Sequence, residues 1–289
     1  MDRHSQQALP RAVIIVLSVL IVLALIALMW TLHRYTGPDA EAPSPSPAPT
    51  AEPTAAPTPE PTAEPTPEPT PEPTPEPTPI PVELPETPDA GQEYIDKVVF
   101  LGDSPIYWLY GYGMLPRTQV WTDSQCTMSL FNVPVDPIEY YDPATPDVAE
   151  SLLIPACVEK RKPEILIITL GLNGVALLDE TQFRDYYSTM LDQIIAASPE
   201  TKVICQSIFP VDDNQAPRGV NNMVINAANT WIRDMAEKAG VHFLNTHDVL
   251  MDETGNLRHD YDNGDGMGIH MNTTGLTAML QYIRTHAWL

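Results

Sequence analysis

Short apolar runs alternate with longer amphipathic stretches over the C-terminal part of the 289-residue chain. Four such runs lie at residues 97–101, 164–170, 202–207 and 241–244. Each is rich in Val, Ile, Leu or Phe and is followed or closed by a glycine or a polar residue. Runs of this length and composition are typical of parallel strands that are buried on both faces. The pattern therefore predicts four central strands of one sheet.

Four amphipathic stretches separate or follow these runs and predict helices at residues 147–160, 179–198, 222–239 and 273–288. In the second of them, apolar residues recur three or four positions apart, which places them on one face of a helix. Strands that alternate with helices predict an α/β domain, with three α/β/α layers and a mainly parallel sheet joined by right-handed crossovers. Ligands of such sheets bind beyond the carboxyl ends of the strands, so the residues that follow each strand are the candidates for function.

An earlier apolar run is longer than any of these strands: residues 12–32 are 21 consecutive uncharged positions. At about 1.5 Å per residue, a helix of that length spans roughly 30 Å, the thickness of the hydrocarbon core of a bilayer. The run exceeds the apolar region of a signal peptide, about 7–15 residues, and no clear small-residue cleavage site follows it. We therefore expect an uncleaved, single-pass transmembrane helix in the cell membrane.

Charge on either side of this helix indicates its orientation. Arg3 and Arg11 precede it, whereas Arg34 is the last basic residue before Lys97. Positively charged residues favour the cytoplasmic side of a membrane. Residues 1–11 are accordingly predicted to be cytoplasmic, and the C-terminal domain is predicted to be extracellular.

Proline, threonine and glutamate dominate the segment at residues 33–91, which separates the helix from the domain. Of the 32 prolines in the chain, 20 lie between Gly37 and Ala90. Proline fixes φ and removes a backbone donor, so the segment favours an extended polyproline-II chain over helix or sheet. Fully extended, at about 3.1 Å per residue, it reaches on the order of 150 Å. We predict a disordered linker that holds the domain at residues 92–289 away from the membrane.

Composition then narrows the classes of function. The chain carries 38 acidic and 15 basic residues and a net charge of −23, whereas a nucleic-acid partner requires a basic face. Three cysteines are too few for a disulfide-stapled scaffold, and their apolar neighbours indicate buried free thiols. What remains is one ectodomain of about 200 residues, long enough to bury its own core. We expect this ectodomain to be monomeric.

Three polar groups stand where the predicted fold places a ligand site. Ser104 follows the first strand in a Gly-Asp-Ser-Pro sequence, with the proline at a position that favours the start of a helix. Asn173 follows the second strand in a Gly-Leu-Asn-Gly sequence, and His270 precedes the last helix. Each group alone is compatible with an ordinary polar turn or a surface histidine. Their order, at two strand ends and before the terminal helix, favours a shared site.

Together these residues resemble the SGNH/GDSL hydrolase superfamily of serine esterases, over nearly all of residues 94–289. The matching motifs are Gly102-Asp103-Ser104, Gly171-Leu172-Asn173 and His270. The resemblance implies a flavodoxin-like sheet, with Ser104 as the nucleophile and His270 as the general base. It also implies that the Ser104 N–H and the Asn173 side chain stabilise the oxyanion, and that no cofactor is required.

Two departures from the family pattern leave parts of the site open. The family usually has an aspartate three residues before the histidine, where this chain has Met267. The nearest acid is Asp265, which a bulged glycine-rich loop would bring to the ring, and the alternatives are Asp262 or a backbone carbonyl. The family also supplies an oxyanion donor from a glycine between its first two motifs, but residues 121–127 contain no glycine. The third donor is therefore unassigned.

We expect a membrane-anchored extracellular serine esterase that hydrolyses short acyl esters, O-acetyl groups above all, on cell-wall or surface glycans. The aromatic residues at 107–112 either stack on sugar rings or pack a helix against the sheet. Two other functions stay open: a glycan-binding module that has lost the chemistry, and an O-acyltransferase that passes the acyl group to a sugar. A metal site in the acidic loop at residues 260–265 is disfavoured, because the loop lacks the spacing of calcium ligands.

Overall fold

The computed structural model describes residues 81–289 of the chain. The predicted cytoplasmic segment at 1–11, the transmembrane helix at 12–32 and the linker up to residue 80 lie outside the described residues. Among residues 81–289, no helix combines the length and the apolar composition that a membrane span requires.

Within these residues, seven strands form two sheets. In chain order they are β1 (Val98–Gly102), β2 (Val120–Trp121), β3 (Ile138–Asp142), β4 (Thr145–Leu152), β5 (Ile165–Thr169), β6 (Lys202–Gln206) and β7 (His242–Leu244). The central sheet is parallel throughout, in the order β2-β1-β5-β6-β7, and β3 and β4 form a separate antiparallel hairpin. Counted among the central strands alone, the order is 2-1-3-4-5, the flavodoxin-like arrangement. The predicted fold class is confirmed.

The register of the central strands brings two of their ends into line. β1 pairs with β5 from Val98 opposite Ile165 to Gly102 opposite Thr169. Every residue of these two strands is buried, as expected for strands that helices cover on both faces. Gly102 and Thr169 therefore lie side by side at the carboxyl edge of the sheet.

Helices cover both faces of this sheet. In chain order they are α1 (Gly91–Ile95), α2 (Ser104–Gly111), α3 (Ile154–Arg161), α4 (Glu180–Ala197), α5 (Asn222–Ala239), α6 (His247–Leu250) and α7 (Thr273–Thr285). One apolar core joins α3, α4, α5 and the hairpin to one face, and a second core joins α1, α2, α6 and α7 to the other. Successive residues of β1 alternate between the cores: Val99 and Leu101 lie in the first, Val98 and Phe100 in the second. The result is the predicted three-layer arrangement.

Side-chain caps explain why the two long helices keep their predicted limits. The Asp179 side chain accepts the Gln182 N–H at 2.9 Å, and the Gln182 side chain accepts the Asp179 N–H at 3.2 Å. This reciprocal pair is a capping box, and it begins α4. Asn221 caps α5, and Gly240 ends that helix in the left-handed conformation, at φ 70°.

The helix predicted at residues 147–160 is wrong in its first half. Residues 145–152 form β4, and α3 begins only at Ile154. β4 is exposed along most of its length, so it lacks the alternating apolar face that marks a strand in sequence. Pro155 lies in the first turn of α3, where a missing N–H breaks no helical hydrogen bond. β2 is absent from the prediction because two residues produce no pattern.

The structure also differs from the linker predicted up to residue 91. The Val82 carbonyl accepts the Phe243 N–H at 2.7 Å, and the Leu84 N–H donates to the Phe243 carbonyl at 3.0 Å. The chain before α1 therefore extends the central sheet beyond β7. Leu84 is buried in the core next to α1 and α7. Val82 and Leu84 supply apolar side chains that the Pro-Glu-Pro-Thr repeat lacks, which explains why the fold begins before residue 92.

Residues next to and within α1 contact the C-terminal end of the chain. Asp89 forms an ion pair with Arg284 of α7. The Trp288 N–H donates to the Tyr94 hydroxyl at 3.0 Å. α7 ends at Thr285 and not at residue 288 as predicted: the Tyr282 carbonyl accepts the Thr285 hydroxyl at 3.1 Å, and the His286 N–H turns to the Ile283 carbonyl.

Candidate active site

Three loops meet at the carboxyl edge of the sheet between β1 and β5. The strand order reverses at this point, with β2 beside β1 on one side and β6 beyond β5 on the other. Ligands of doubly wound sheets bind at such a switch point. Ser104 follows β1, Asn173 follows β5, and His270 comes from the loop before α7. The three residues predicted for the site therefore stand at one edge.

Ser104 is the first residue of α2, directly after β1 ends. Packing is tight at this turn: a Cβ on Gly102 would lie 2.5 Å from Ile106 Cγ1 and 2.9 Å from the Thr169 carbonyl oxygen. Glycine alone lets β1 approach β5 and α2 this closely before the chain turns. Pro105 continues the first turn of the helix. The turn places the Ser104 hydroxyl and N–H at a helix N-terminus, where N–H groups have no intrahelical partner.

His270 lies against Ser104 although 166 positions separate the two in sequence. Its Nε2 is 2.8 Å from Ser104 Oγ, within hydrogen-bond reach. The His270 side chain is nearly buried, at 10 % exposure. An imidazole at this distance is placed to accept the serine proton as the hydroxyl attacks.

The acid beside His270 is Asp265. Its Oδ2 is 2.5 Å from His270 Nδ1, and its other oxygen accepts the Met267 N–H at 2.8 Å. Burial alone would raise the pKa of Asp265, but the hydrogen bonds from His270 and from the Met267 N–H outweigh it and hold the pKa below its usual value. Asp262, the alternative acid, instead accepts the Gly264 N–H.

Left-handed glycines bring Asp265 to the ring from five positions before the histidine. Gly264, Gly266 and Gly268 have φ of 78°, 77° and 62°, a conformation that other residues adopt only at a cost. Between the aspartates of the loop, Asn263 Oδ1 accepts the Asp265 N–H at 3.0 Å. These turns form the bulge that replaces the three-residue spacing of the family pattern.

Asn173 reaches the site from the end of β5. Gly171, at φ 136°, turns the chain away from the strand, and a Cβ there would lie 2.7 Å from Ile208 Cδ1. The Asn173 Nδ2 donates to the Met128 carbonyl at 3.1 Å and is 3.5 Å from Asp103 Oδ2. The amide therefore lies next to the residue that precedes the nucleophile.

The segment between the first two motifs packs against Asn173 without the glycine of the family pattern. Cys126 has φ 57°, a left-handed conformation in which glycine is favoured. Its N–H donates to the Asp123 carbonyl at 3.1 Å, and the next two N–H groups donate to the Asp123 carboxylate at 2.8 and 3.2 Å. Asp123 thus occupies the donors of residues 126–128, and the third oxyanion donor stays unassigned.

Asp103 is a buried carboxyl to which the sequence assigned no role. It stands at the N-cap of α2 but makes no side-chain capping hydrogen bond, and its Oδ2 faces the Asn173 amide instead. The residue is 1 % exposed. Burial raises the pKa of Asp103 to about 8, against the lowering effect of backbone N–H groups, including that of Asn173. An aspartate between a strand and a helix is typical of a cap, so the sequence carries no signal for this environment.

Two aromatic side chains border the histidine. Trp108 meets the His270 ring edge to face, with 6.2 Å between ring centroids, and stacks on Tyr112 at 4.9 Å. Tyr112 is exposed, whereas Ile106 and Leu109 of the same helix are buried in the core. α2 therefore divides its side chains between the core and an aromatic surface beside His270.

The remaining charged groups and thiols of the described domain form no metal site and no disulfide. In the acidic loop, Asp260 pairs with Arg258 at 2.8 Å. Within residues 81–289, no three His, Cys, Asp or Glu side chains stand close enough together to hold a metal ion. The three cysteines are free: Cys157 and Cys205 are buried as predicted, whereas Cys126 is half-buried.

Ser104, His270 and Asp265 form one line of contacts from a hydroxyl through an imidazole to a carboxylate. A nucleophile, a base and an acid that orients the base are the groups that activate a serine for acyl transfer. The N–H of Ser104 and the amide of Asn173 add donors on the same edge. The arrangement suits attack on an ester carbonyl.

The chain is similar to known proteins over its C-terminal domain. A family model described as the GDSL-like lipase/acylhydrolase family matches residues 100–278. No curated protein sequence matches the chain. Among solved structures, a GDSL-like lipase from Bacteroides thetaiotaomicron VPI-5482 is 20% identical, with 65% of this chain and 85% of that chain covered and a TM-score of 0.46. A carbohydrate esterase family 3 from Talaromyces cellulolyticus is 19% identical, with 65% and 92% covered and a TM-score of 0.42.

Proposed function

Because the chain belongs to the GDSL-like lipase/acylhydrolase family and is a carboxylic-ester hydrolase, we propose that it works through a triad of Ser104, His270 and Asp265. The observation that carries the proposal is the unbroken contact from Ser104 Oγ to His270 Nε2 at 2.8 Å and from His270 Nδ1 to Asp265 Oδ2 at 2.5 Å. A glycan-binding module without chemistry has no need of a hydroxyl held against an imidazole. The contact therefore favours hydrolysis over binding alone.

In the proposed reaction, Ser104 Oγ attacks the ester carbonyl carbon while His270 Nε2 takes the hydroxyl proton. The tetrahedral intermediate collapses, the bond from the acyl carbon to the alcohol oxygen breaks, and His270 gives its proton to the leaving alcohol. Water then attacks the acyl-enzyme with His270 again as the base, which releases the carboxylic acid and restores the serine. Asp265 keeps the proton on Nδ1, so that Nε2 is the acceptor.

The oxyanion of the tetrahedral intermediate is proposed to bind the Ser104 N–H and the Asn173 amide. The position of Ser104 at the N-terminus of α2 supports the first donor. The Asn173 amide lies beside the same turn, with Nδ2 3.5 Å from Asp103 Oδ2, and the N–H that faces Asp103 is the one proposed to turn to the oxyanion. A preorganised donor of this kind contributes about 3–4 kcal/mol to transition-state stabilisation.

As substrates we propose short acyl esters, O-acetyl groups above all, on neutral cell-wall or surface glycans. Trp108 and Tyr112 form a stacked aromatic surface beside His270, and aromatic rings offer flat apolar faces on which a sugar ring packs. The net charge of −23 disfavours polyanionic substrates. The predicted helix at 12–32 and the Pro-rich linker that follows it would hold the enzyme outside the cell, where such glycans are.

Removal of the nucleophile tests the mechanism. In the full-length chain, Ser104→Ala should lower kcat/KM for 4-nitrophenyl acetate by about 10⁴-fold or more and abolish labelling by a fluorophosphonate. Ser151→Ala, at an exposed serine of β4, is the matched control and should keep both properties. Mass spectrometry of the labelled peptides should place the adduct on Ser104. Activity retained in Ser104→Ala, or an adduct on another serine, refutes the assignment of the nucleophile. Transfer of the acetyl group to an added sugar would identify an acyltransferase.

The substrate class predicts a selective loss at the aromatic surface. Tyr112→Ala should raise KM for acetylated xylo-oligosaccharides about tenfold, the value of one lost aromatic contact, and change kcat/KM for 4-nitrophenyl acetate less than about threefold. Tyr110→Ala is the matched control, because Tyr110 is also exposed but lies over Arg117 at 5.5 Å. Equal losses on both substrates would mean that Tyr112 supports His270 through Trp108, and an unchanged KM would remove the sugar-stacking role.

A further inference from the structure

We infer that Asp103 is a positioning residue whose neutral carboxyl group keeps the Asn173 amide beside Ser104 as an oxyanion donor, and that the ionised carboxylate competes with the oxyanion for this amide. The inference rests on the proposed ester hydrolysis at Ser104 and adds a residue to it. It also gives the reaction an alkaline limit that the triad itself does not impose.

The first argument is the placement of the Asp103 side chain. An aspartate at a helix N-cap ordinarily accepts N–H groups of the first turn. Here the Ile106 and Tyr107 N–H groups bond to the Asp103 carbonyl, at 3.0 and 3.1 Å, and the carboxyl makes no cap. The carboxyl is turned toward Asn173, where Oδ2 is 3.5 Å from Nδ2. It thus contacts the side-chain amide of the oxyanion donor.

The second argument is the surroundings of this carboxyl. Asp103 is 1 % exposed, so water does not solvate a charge there. Asp123, in the loop after β2, acts on it only through its like charge, and the uncharged Asn173 contacts it from the loop after β5. His270 and Asp265 approach from the loop before α7, in contact with the neighbouring Ser104. Burial first, and Asp123 in addition, raise the pKa of Asp103 to about 8.

These two observations together define what each protonation state does. The neutral acid is the weaker acceptor, so an Asn173 N–H is free to turn to the oxyanion, and it places no net charge beside the reacting carbonyl. The ionised acid would place a negative charge next to Ser104, where the oxyanion develops, and like charges at close range in a buried site repel strongly. The loss falls on the transition state, so kcat should fall while KM changes little.

Substitution of Asp103 by asparagine separates shape from charge. In the full-length wild-type chain, kcat for 4-nitrophenyl acetate should fall at least fivefold between about pH 7 and about pH 9.5. Asp103→Asn should keep kcat within about fivefold of wild type near pH 7 and lose this alkaline fall, because an amide does not ionise. Asp103→Ala should lower kcat about tenfold or more at every pH, with KM nearly unchanged. Asp185→Asn, at an exposed position of α4, is the matched control and should follow the wild-type profile.

An alkaline fall that is the same in Asp103→Asn and in wild type overturns the inference, and so does an unchanged kcat in Asp103→Ala. A wild-type kcat that stays level to about pH 9.5 overturns it without any variant. Thermal unfolding gives a readout that does not depend on activity. The pKa of Asp103 is higher in the folded state than in the unfolded state, so wild type loses stability as pH rises between the two values. The Tm of Asp103→Asn relative to wild type should therefore increase from about pH 5 to about pH 8, and a constant difference contradicts a neutral Asp103.

Discussion

Two loops deliver the reacting groups to the sheet edge, and they are built differently. The turn from β1 to α2, which carries Ser104, is closed by packing: Gly102 has no room for a Cβ, and Asp103 is buried. The loop before α7, which carries His270, is held by hydrogen bonds that backbone N–H groups donate to nearby side-chain oxygens. Gly264 of this loop has a left-handed φ, but a Cβ added to it would have no neighbour within 4 Å.

The difference predicts whether a substitution in each loop lowers stability, activity or both. A change in the β1–α2 turn disturbs the contact between the sheet and a helix, so stability and activity should fall together. A change at the exposed residues 264–267 of the loop before α7 disturbs the position of an imidazole and its acid, while the core stays intact. The nucleophile is therefore positioned by the fold, and the base is positioned by local turns.

The largest effect should come from the loop before α7. His270→Ala should lower kcat about 10⁴- to 10⁶-fold, and Asp265→Ala about tenfold to a hundredfold less, because the base acts on the proton while the acid only orients the base. Asp262→Ala is the control from the same loop, since its carboxylate holds the Gly264 N–H and not the ring. Steady-state kinetics with 4-nitrophenyl acetate and urea unfolding of each variant measure the two properties.

Two results would break this part of the comparison. An Asp262→Ala loss as large as that of Asp265→Ala would mean that the shape of the loop matters and the contact of Asp265 with His270 does not. A large fall in the free energy of unfolding in His270→Ala would mean that this loop, too, is part of the core.

The same division explains what the sequence reveals of the fold. Strands β1, β5 and β6 are buried on both faces, so their apolar runs mark them directly. Helix α4 is marked at its start by Asp179 and Gln182 and along its length by its apolar face. The hairpin of β3 and β4 lies outside the sheet with β4 exposed, and hydrophobic patterning carries no signal for it.

The residues of the candidate site likewise differ in how far the sequence predicts their positions. Ser104 and His270 stand beside elements whose ends the sequence marks, so their meeting at the sheet edge follows from the topology. The choice of Asp265 over Asp262 depends on φ at several glycines, which composition does not encode. The pairing of Val82 with Phe243 depends on a strand about 160 residues away along the chain, and the environment of Asp103 depends on Asn173. Long-range contacts of this kind leave no local pattern.

A pair of glycine substitutions sharpens the comparison with the smallest expected effects. Gly102→Ala should lower the free energy of unfolding by about 2–3 kcal/mol, since its Cβ would meet the Thr169 carbonyl oxygen at 2.9 Å and backbone cannot easily move. Gly264→Ala should cost about 1 kcal/mol, the strain of a side chain at φ 78° with no neighbour within 4 Å.

Urea unfolding of the two variants, with kcat measured on the same samples, decides between the two kinds of loop. Gly102→Ala should lose activity as well as stability, because the added methyl group displaces α2 and with it Ser104. Equal losses of stability in both variants would contradict a packed turn set against an open loop. Full activity in Gly102→Ala would mean that the β1–α2 turn can relax without moving the nucleophile. The fold would then position Ser104 no more firmly than the local turns position His270.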